Sequence, residues 1–223
     1  MDFIELDGVG LRYELSGKGD RTLVLVHEMG GSLESWDDVS PRFGESRRVL
    51  RYDTRGAGMS QKVRGQLGID TMTDDITALL DALVAPDRRA AALERVAKIE
   101  AAGMAFAVAD SMLNGYAPEL RGDIKRFEQY RARWLGNDPA SYATIWRMLA
   151  GMDMQGELTR LRLPVLVIGG SLDRVRPPAL AKAVANAIPG ARYIEVPTGH
   201  YMAVQTPDLI SDCIDEFLRT VGA

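Results

Sequence analysis

The sequence predicts an α/β fold with a mostly parallel sheet and a helical insertion, and three observations support this prediction. Short apolar and β-branched runs, bounded by turn residues, recur near both ends of the chain, most clearly at 22–26 and 164–168. Helical patterns separate the later runs from one another, as in a parallel sheet. Between the two groups, strand patterns are absent and four helix-period segments follow one another. We therefore divide the chain into an α/β core, residues 1–86 and 157–223, and a helical insertion, residues 87–156.

Composition limits the class of protein and the kind of partner. The 223 residues, 46% hydrophobic and 26% charged, can form one sizeable core with an appendage. A net charge of −4, with Lys and Arg scattered along the chain, argues against nucleic-acid binding and against docking on an anionic membrane. The single cysteine, Cys213, excludes an internal disulfide, and no secretory or membrane-spanning apolar run is present. We expect a cytoplasmic protein that acts on a small molecule. The sequence is compatible with a monomer and with a homodimer.

The N-terminal third of the chain carries four predicted strands. Residues 3–6 and 11–15 alternate apolar and polar side chains around Asp7-Gly8, which predicts an antiparallel hairpin at the sheet edge. Residues 22–26, TLVLV, predict a strand that is buried on both faces, and residues 48–52 predict the next one.

The segment HEMGGS, residues 27–32, follows the first buried strand and is the first candidate site. Its glycines allow a tight turn that brings backbone N–H groups towards a ligand, so the loop can hold an oxyanion. A simple glycine turn into the helix around Trp36 is the alternative interpretation. After the next strand, Gly56-x-Gly58-x-Ser60 predicts a turn in which the serine is a capping residue.

The helical insertion is a candidate lid over an active site. A helix predicted from Thr71 ends before Pro86, and further helices are predicted at 93–102, 104–113, 124–135 and 139–150. Aromatic residues share one face of each of the last two helices, Phe127, Tyr130 and Trp134 in one and Tyr142 and Trp146 in the other. Such stripes usually form core packing, but in this position we expect Trp134, Trp146 or both to face a pocket.

An acid and a histidine follow the two strands predicted in the C-terminal third. The strand at 164–168 exits through GGSLD to Asp173, and the strand at 192–196 exits through PTG to His200. Helices are predicted at 178–187 and 208–221. Parallel neighbours end at the same sheet edge, so we expect a hydrogen bond between Asp173 and His200. A carboxylate fixes the histidine tautomer and stabilises its cation, which lets the imidazole activate a hydroxyl or water.

With these motifs in view, the chain resembles the α/β-hydrolase superfamily. The resemblance rests on the loop 27–32, the turn RYDTRGAGMS at 51–60, and the turns that end at Asp173 and His200. Within the superfamily, the tracts RVLRYDTRGAG, GMDMQGELTRLRLPVLVIGG and AIPGARYIEV look most like the 3-oxoadipate enol-lactonase group.

The resemblance implies hydrolysis of a small carboxylic ester or lactone through a Ser-His-Asp triad, without a cofactor. It makes His200 the base and Asp173 the residue that orients it, and it assigns oxyanion or substrate binding to residues 27–30, that is His27, Glu28, Met29 and Gly30. The histidine of that loop is expected to be structural or substrate-orienting. Two histidines with no cysteine near them make a poor zinc site, so no metal is expected.

The chain departs from the family in one respect, since the Gly-x-Ser-x-Gly turn that carries the nucleophile does not occur. Residues 83–86 run directly into the insertion, so a strand–helix–strand unit of about 30 or more residues is missing. Its loss would open a gap of roughly 10 Å, and the sheet would have to re-pair or stay split. Ser32, Ser60, Ser111 and Ser171 are weak substitutes, since none follows a strand in a glycine-flanked turn.

Three functions therefore compete at this point. The chain is by descent a serine-type ester or lactone hydrolase recorded without its nucleophile segment, or it is a catalytically silent domain that binds a small molecule beneath its lid. The third alternative is an enzyme in which the His200–Asp173 pair acts directly on water or on an acidic substrate proton.

Overall fold

The computed structural model describes residues 1–6, 9–68, 70–71, 99, 101–151 and 155–222. In that part of the chain, six strands form two sheets. The first sheet has the order β1-β2-β4-β3, and the second pairs β5 with β6. The strands are β1 Asp2–Leu6, β2 Val9–Gly17, β3 Thr22–Val26, β4 Arg48–Tyr52, β5 Leu166–Gly170 and β6 Arg192–Val196.

Strand directions match the pattern predicted from the sequence. The β1–β2 and β2–β4 pairs are antiparallel, which confirms the N-terminal hairpin. The β3–β4 pair is parallel with Val24 opposite Leu50, and the β5–β6 pair is parallel with Ile168 opposite Ile194. β5 begins at Leu166, two residues later than predicted.

Within the described residues the sheet is split between β3 and β5. Each of these strands has one hydrogen-bonded neighbour there, and no ladder joins the two sheets. The prediction that β3 and β5 are buried on both faces is wrong: in β3 only Leu25 is buried, and Leu166 and Ile168 of β5 stay partly exposed. A strand at a sheet edge lacks neighbouring side chains on one side, which leaves its own side chains less covered.

The helices of the insertion match the predicted segments where the structure describes them. α1, Met104–Ala107, continues through a π-helical turn, Val108–Met112, into α2, Leu113–Gly115. α3 is Ile124–Leu135, α4 is Pro139–Gly151 and the short α5 is Gln155–Leu158. The helices predicted around 71–83 and 93–102 lie largely outside the described residues.

Three helices follow the strands of the second sheet. α6, Pro178–Ala187, follows β5, the short α7, Met202–Gln205, follows β6, and α8, Pro207–Thr220, ends the described chain. Val167 of β5, Val184 of α6 and Ile188, which directly follows α6, form a buried cluster between helix and sheet. No helix in the described part of the chain is long and apolar enough to cross a membrane.

The insertion packs against the core through a set of rings that we call the aromatic cluster. The centroids of contacting rings in this cluster lie 5.1–6.3 Å apart. Tyr201, which directly follows His200, belongs to it, so the insertion is joined to the end of β6. The members are Tyr116, Phe127, Tyr130, Trp134, Tyr142 and Tyr201.

A buried ionic network fixes the exit of β4. The Asp53 carboxylate accepts hydrogen bonds from the backbone N–H of Leu33 at 2.7 Å and from the Arg12 guanidinium at 3.2 Å, and Arg12 also binds Glu34 at 2.5 Å. Ser60 donates to the Asp53 carbonyl at 2.7 Å, as expected for a turn serine. The network therefore ties the segment after residue 32 to the sheet.

We expect the substitution Glu34→Gln to reduce the acid sensitivity of this network. Burial opposes ionisation of Glu34, but hydrogen bonds from Arg12 and Ser32 outweigh it and lower the pKa of the carboxyl. A lowered pKa stabilises the fold above the unfolded-state pKa, and this contribution disappears as the pH falls through the folded-state pKa. In urea unfolding at pH 7 the variant should lose about 1–3 kcal/mol, and the difference from the parent should shrink towards pH 3.5. A difference that does not change with pH would contradict this account.

Candidate functional site

Asp173 and His200 meet at the carboxyl ends of β5 and β6. His200 Nδ1 lies 2.9 Å from Asp173 Oδ2, so the predicted hydrogen bond is present. Asp173 Oδ1 accepts the backbone N–H groups of Val175 and Arg176, both at 2.8 Å. The carboxylate is buried, and these hydrogen bonds fix its orientation towards the imidazole.

The environment of the imidazole determines its tautomer. A carboxylate can only accept, so the neutral ring carries its proton on Nδ1 and keeps a lone pair on Nε2. Nε2 has no hydrogen-bond partner among the described residues, and the side chain is 21% exposed. His200 also lines a cavity of about 220 Å³. A neutral imidazole in this position can accept a proton from a molecule in the cavity.

The insertion contacts the histidine directly. The backbone N–H of His200 donates to the Gly115 carbonyl at 3.1 Å. The Tyr201 ring packs against the imidazole with centroids 5.2 Å apart, and it leaves no space for a side chain at position 115, where a Cβ would lie 2.7 Å from it. The end of α2 therefore helps to set the backbone position of His200.

His27 connects two strands and has no nitrogen available for proton transfer. Its Nδ1 lies 2.7 Å from the Glu28 carbonyl, and its Nε2 accepts the backbone N–H of Thr54 at 3.0 Å. The residue is buried, with only 7% of its surface exposed. The structure therefore gives His27 a structural position between the exits of β3 and β4.

Glu28 is held by the insertion. One carboxylate oxygen accepts the Tyr130 hydroxyl at 2.5 Å and the Ser35 hydroxyl at 3.0 Å. Burial raises the pKa of Tyr130 well above its ordinary value, and the negative charge of Glu28 adds to this effect. The phenol consequently remains a hydrogen-bond donor at physiological pH.

Gly30 is the closest point between the loop and α3. Its φ is +86°, and a Cβ at this position would lie 2.6 Å from the Trp134 ring, so only glycine fits. Asn137 donates from Nδ2 to the Gly30 carbonyl at 2.9 Å. The backbone N–H groups of Met29 and Gly30 have no acceptor among the described residues, and both remain candidate oxyanion donors.

The structure places the two predicted pocket tryptophans in packing positions. Trp134 is 2% exposed and contacts the rings of Tyr130, Tyr142 and Tyr201. Trp146 is partly buried against the same cluster. Neither tryptophan lines the cavity that His200 and Asp173 share.

The cavity beside His200 and Asp173, which we call the dyad cavity, is mainly apolar. Its wall consists of β5, of side chains from α6 and α7, and of Asp173, Arg176 and His200 from the turns after β5 and β6. No serine, threonine or cysteine belongs to the wall in the described part of the chain. Ser32 and Ser111 are bonded to neighbouring carboxylates, and Ser171 is exposed after β5. Three or more metal-ligating side chains do not converge anywhere among the described residues. The lining residues are Val167, Ile168, Gly169, Gly170, Asp173, Arg176, Leu180, Ala181, Val184, His200 and Met202.

Sequence reasoning missed three residues that the structure brings to the site. Tyr130 was assigned only to an aromatic stripe, and neither Asn137 nor Arg176 was singled out. The available signal for Arg176 was its position three residues after Asp173, in the turn that positions the acid. Contacts of Tyr130 and Asn137 with the loop join residues more than 100 positions apart, which no local pattern reveals.

No protein-family model matches the chain. Among characterised proteins, 3-oxoadipate enol-lactonase 2 of Acinetobacter baylyi is 24% identical over 257 aligned positions, which cover 98% of this chain and 96% of that protein. Since this chain has 223 residues, at least 34 of those positions lie opposite gaps in it.

Two solved structures extend the comparison to the fold. The enol-lactonase from Burkholderia xenovorans LB400 is 24% identical with a TM-score of 0.86, and the alignment covers 98% of this chain and 100% of that one. A thermophilic esterase from Thermogutta terrifontis is 20% identical with a TM-score of 0.89, and all of both chains is covered. The chain is therefore similar in sequence to an enol-lactonase, and it has the α/β-hydrolase fold of these solved structures.

Proposed function

We propose that this protein carries the proton-transfer half of a hydrolase site for small carboxylic esters or lactones. The hydrogen bond between His200 and Asp173, 2.9 Å long and open to the dyad cavity, is the observation that carries the proposal. The relatives named as enol-lactonases and esterases support the substrate class.

In this site His200 is the general base and Asp173 orients it. Nε2 takes the proton of the attacking hydroxyl, and the buried Asp173 carboxylate stabilises the imidazolium that forms. The imidazolium then returns the proton to the leaving alkoxide. The backbone N–H groups of Met29 and Gly30, which have no acceptor among the described residues, are the proposed donors to the oxyanion of the tetrahedral intermediate.

The covalent half of the site is the part that we propose is missing. No Gly-x-Ser-x-Gly turn occurs in the sequence, and the dyad cavity has no hydroxyl or thiol on the wall formed by described residues. The gaps opposite at least 34 positions of the Acinetobacter relative are of the size expected for a missing strand–helix–strand unit.

A catalytically silent binding domain is the second candidate. Contacts from α3 and from Asn137 to Glu28 and Gly30 favour it, since they hold the loop by packing and hydrogen bonds within the chain itself. Such a domain keeps the cavity and the lid, and it loses only turnover.

A fluorophosphonate probe and p-nitrophenyl acetate separate these functions in the chain as it stands. The probe labels serine only where a base and oxyanion donors activate it. We expect no labelling, and a rate with p-nitrophenyl acetate no higher than that of His200→Ala. Stoichiometric labelling of Ser32 or Ser171 would refute the missing nucleophile. Turnover that depends on His200 without labelling would instead show that the histidine and aspartate activate water.

We further propose that the protein works in the cytoplasm on a small molecule, without a cofactor, a nucleic acid or a membrane as partner. The net charge of −4, with Lys and Arg scattered along the chain, supports the part of this proposal that concerns nucleic acids and membranes.

A further inference from the structure

We infer that a second cavity, between α3 and the segments that follow β3 and β4, is a binding site for a small zwitterion of the size of a dipeptide. The cavity, which we call the α3 cleft, has a volume of about 470 Å³. It shares no lining residue with the dyad cavity in the described part of the chain. The proposed proton transfer therefore does not account for it.

One side of α3, continued by the two residues after it, forms the first wall of the cleft. Five residues line this wall at spacings of three and four positions, which places them on the same side of the helix. They are Gln129, Ala132, Arg133, Gly136 and Asn137. Arg133 is the charged residue among them, so this wall is cationic.

Arg133 has no counter-ion in the described part of the chain. Its guanidinium lies over the Tyr130 ring, with Cζ 5.6 Å from the centroid, and this contact restrains the side chain. Its Nε is buried without an acceptor, and no described carboxylate forms a salt bridge with it. By comparison, Arg131 of the same helix forms a salt bridge with Glu128 at 3.3 Å. A restrained guanidinium that lacks an acceptor prefers a carboxylate as its ligand.

The other wall of the cleft carries an excess of negative charge. Glu34 and Asp37 line it together with Arg12, and both carboxylates stay partly exposed. Each arginine of the ionic network in this wall is shared by two carboxylates, so four negative charges stand against two positive ones. The pairs are Arg12 with Glu34 and Asp53, and Arg51 with Glu14 and Asp37. This wall therefore attracts an ammonium group.

The two walls together select a ligand that carries opposite charges at its two ends. An anion alone is repelled by Glu34 and Asp37, and a cation alone is repelled by Arg133. The rest of the wall includes Met59, Ala132 and three glycines, which leave space for an apolar body. The volume of the cleft lies within the roughly 300–1,000 Å³ of small-ligand sites. A dipeptide with both termini free has this size and this arrangement of charges.

Alanyl-leucine and two capped analogues test the assignment by binding. N-acetylalanyl-leucine lacks the ammonium group and alanyl-leucinamide lacks the carboxylate, while the rest of the peptide is unchanged. Isothermal titration calorimetry of the full chain at pH 7 should show alanyl-leucine binding about 10- to 100-fold more tightly than either analogue. Hydrolysis is not measured, so the result does not depend on the proposed proton transfer.

Four variants locate the bound peptide. Arg133→Gln should reduce the affinity for alanyl-leucine to that for its amide, and Asp37→Asn should reduce the preference over the acetylated analogue. Arg131→Gln is the matched control and should retain both preferences, because Arg131 has its own partner and does not line the cleft. His200→Ala should also retain them, because His200 lines only the dyad cavity. Circular dichroism of each variant separates a loss of binding from unfolding.

Three results would overturn the inference: equal affinity of the wild-type chain for all three peptides, no saturable binding of alanyl-leucine, or unchanged preferences in a folded Arg133→Gln protein. Loss of binding in His200→Ala would overturn it as well, since the peptide would then occupy the dyad cavity.

Discussion

A nucleophile segment inserted between Ala85 and Pro86 is expected to raise the turnover of p-nitrophenyl acetate by about 10²–10⁴-fold and to create a serine that fluorophosphonate labels. The insert is the part of Acinetobacter baylyi 3-oxoadipate enol-lactonase 2 that lies opposite the gaps in this chain. The insertion point is chosen from the sequence, where the residues before Pro86 run directly into the insertion.

The physical reason for this expectation is that the base and the acid that orients it are already paired. His200 is held by Asp173 with Nε2 free, and the backbone N–H groups of Met29 and Gly30 have no acceptor among the described residues. Between β3 and β5 the described sheet is split, which leaves two strand edges for an added pair of parallel strands. A serine delivered to that edge would meet a base that is already oriented.

Three controls assign the gained activity to the assembled site. The same insert with its elbow serine replaced by alanine should not be labelled, and the insert combined with His200→Ala should lose the added turnover. The insert combined with Asp173→Asn should keep its fold but lose most of the gain, because the amide no longer stabilises the required tautomer and cation. A folded, labelled protein whose activity ignores His200 would show that this histidine is not the base.

The sequence was sufficient for most elements and for the dyad. The strands at 22–26, 48–52 and 192–196 and the helices at 124–135 and 178–187 have the predicted bounds. Their patterns are local, with a period of two or 3.6 residues and turn residues at the ends. The contact between Asp173 and His200 is predictable from topology, because adjacent parallel strands have their carboxyl ends at the same edge of the sheet.

The surroundings of the dyad were not predictable, because they depend on which surfaces meet. The residue types at 22–26 are typical of a central strand with two neighbours. The structure shows that β3 has one neighbour in the described sheet. An aromatic stripe does not say whether its rings face a pocket or another part of the core. Trp134 contacts Gly30, 104 residues earlier in the chain, and no local pattern reveals such a contact.

The substitution Trp134→Ala is expected to cost about 3–5 kcal/mol in the free energy of unfolding, which is a large part of the total for a domain of this size. The side chain is 2% exposed and contacts three rings of the aromatic cluster. Its removal leaves a cavity between α3, the loop at Gly30 and the exit of β6. Urea unfolding followed by circular dichroism measures the free energy of unfolding. If the alanine variant does not fold, Trp134→Phe, which should lose less of this free energy, replaces it.

Trp146→Ala is the matched comparison, since this tryptophan is only partly buried against the same cluster and should cost clearly less. The pair also tests the role of the insertion. If Trp134 were a ligand-binding wall of a movable lid, its loss would weaken binding of a small lactone such as γ-valerolactone far more than it weakens the fold. We expect the opposite order, because the indole is enclosed by rings from α3, from α4 and from the residue that follows His200. Amide hydrogen exchange should then become faster in residues 27–32 of Trp134→Phe and stay unchanged there in Trp146→Ala, because the Trp134 ring is the nearest side chain to Gly30 among the described residues.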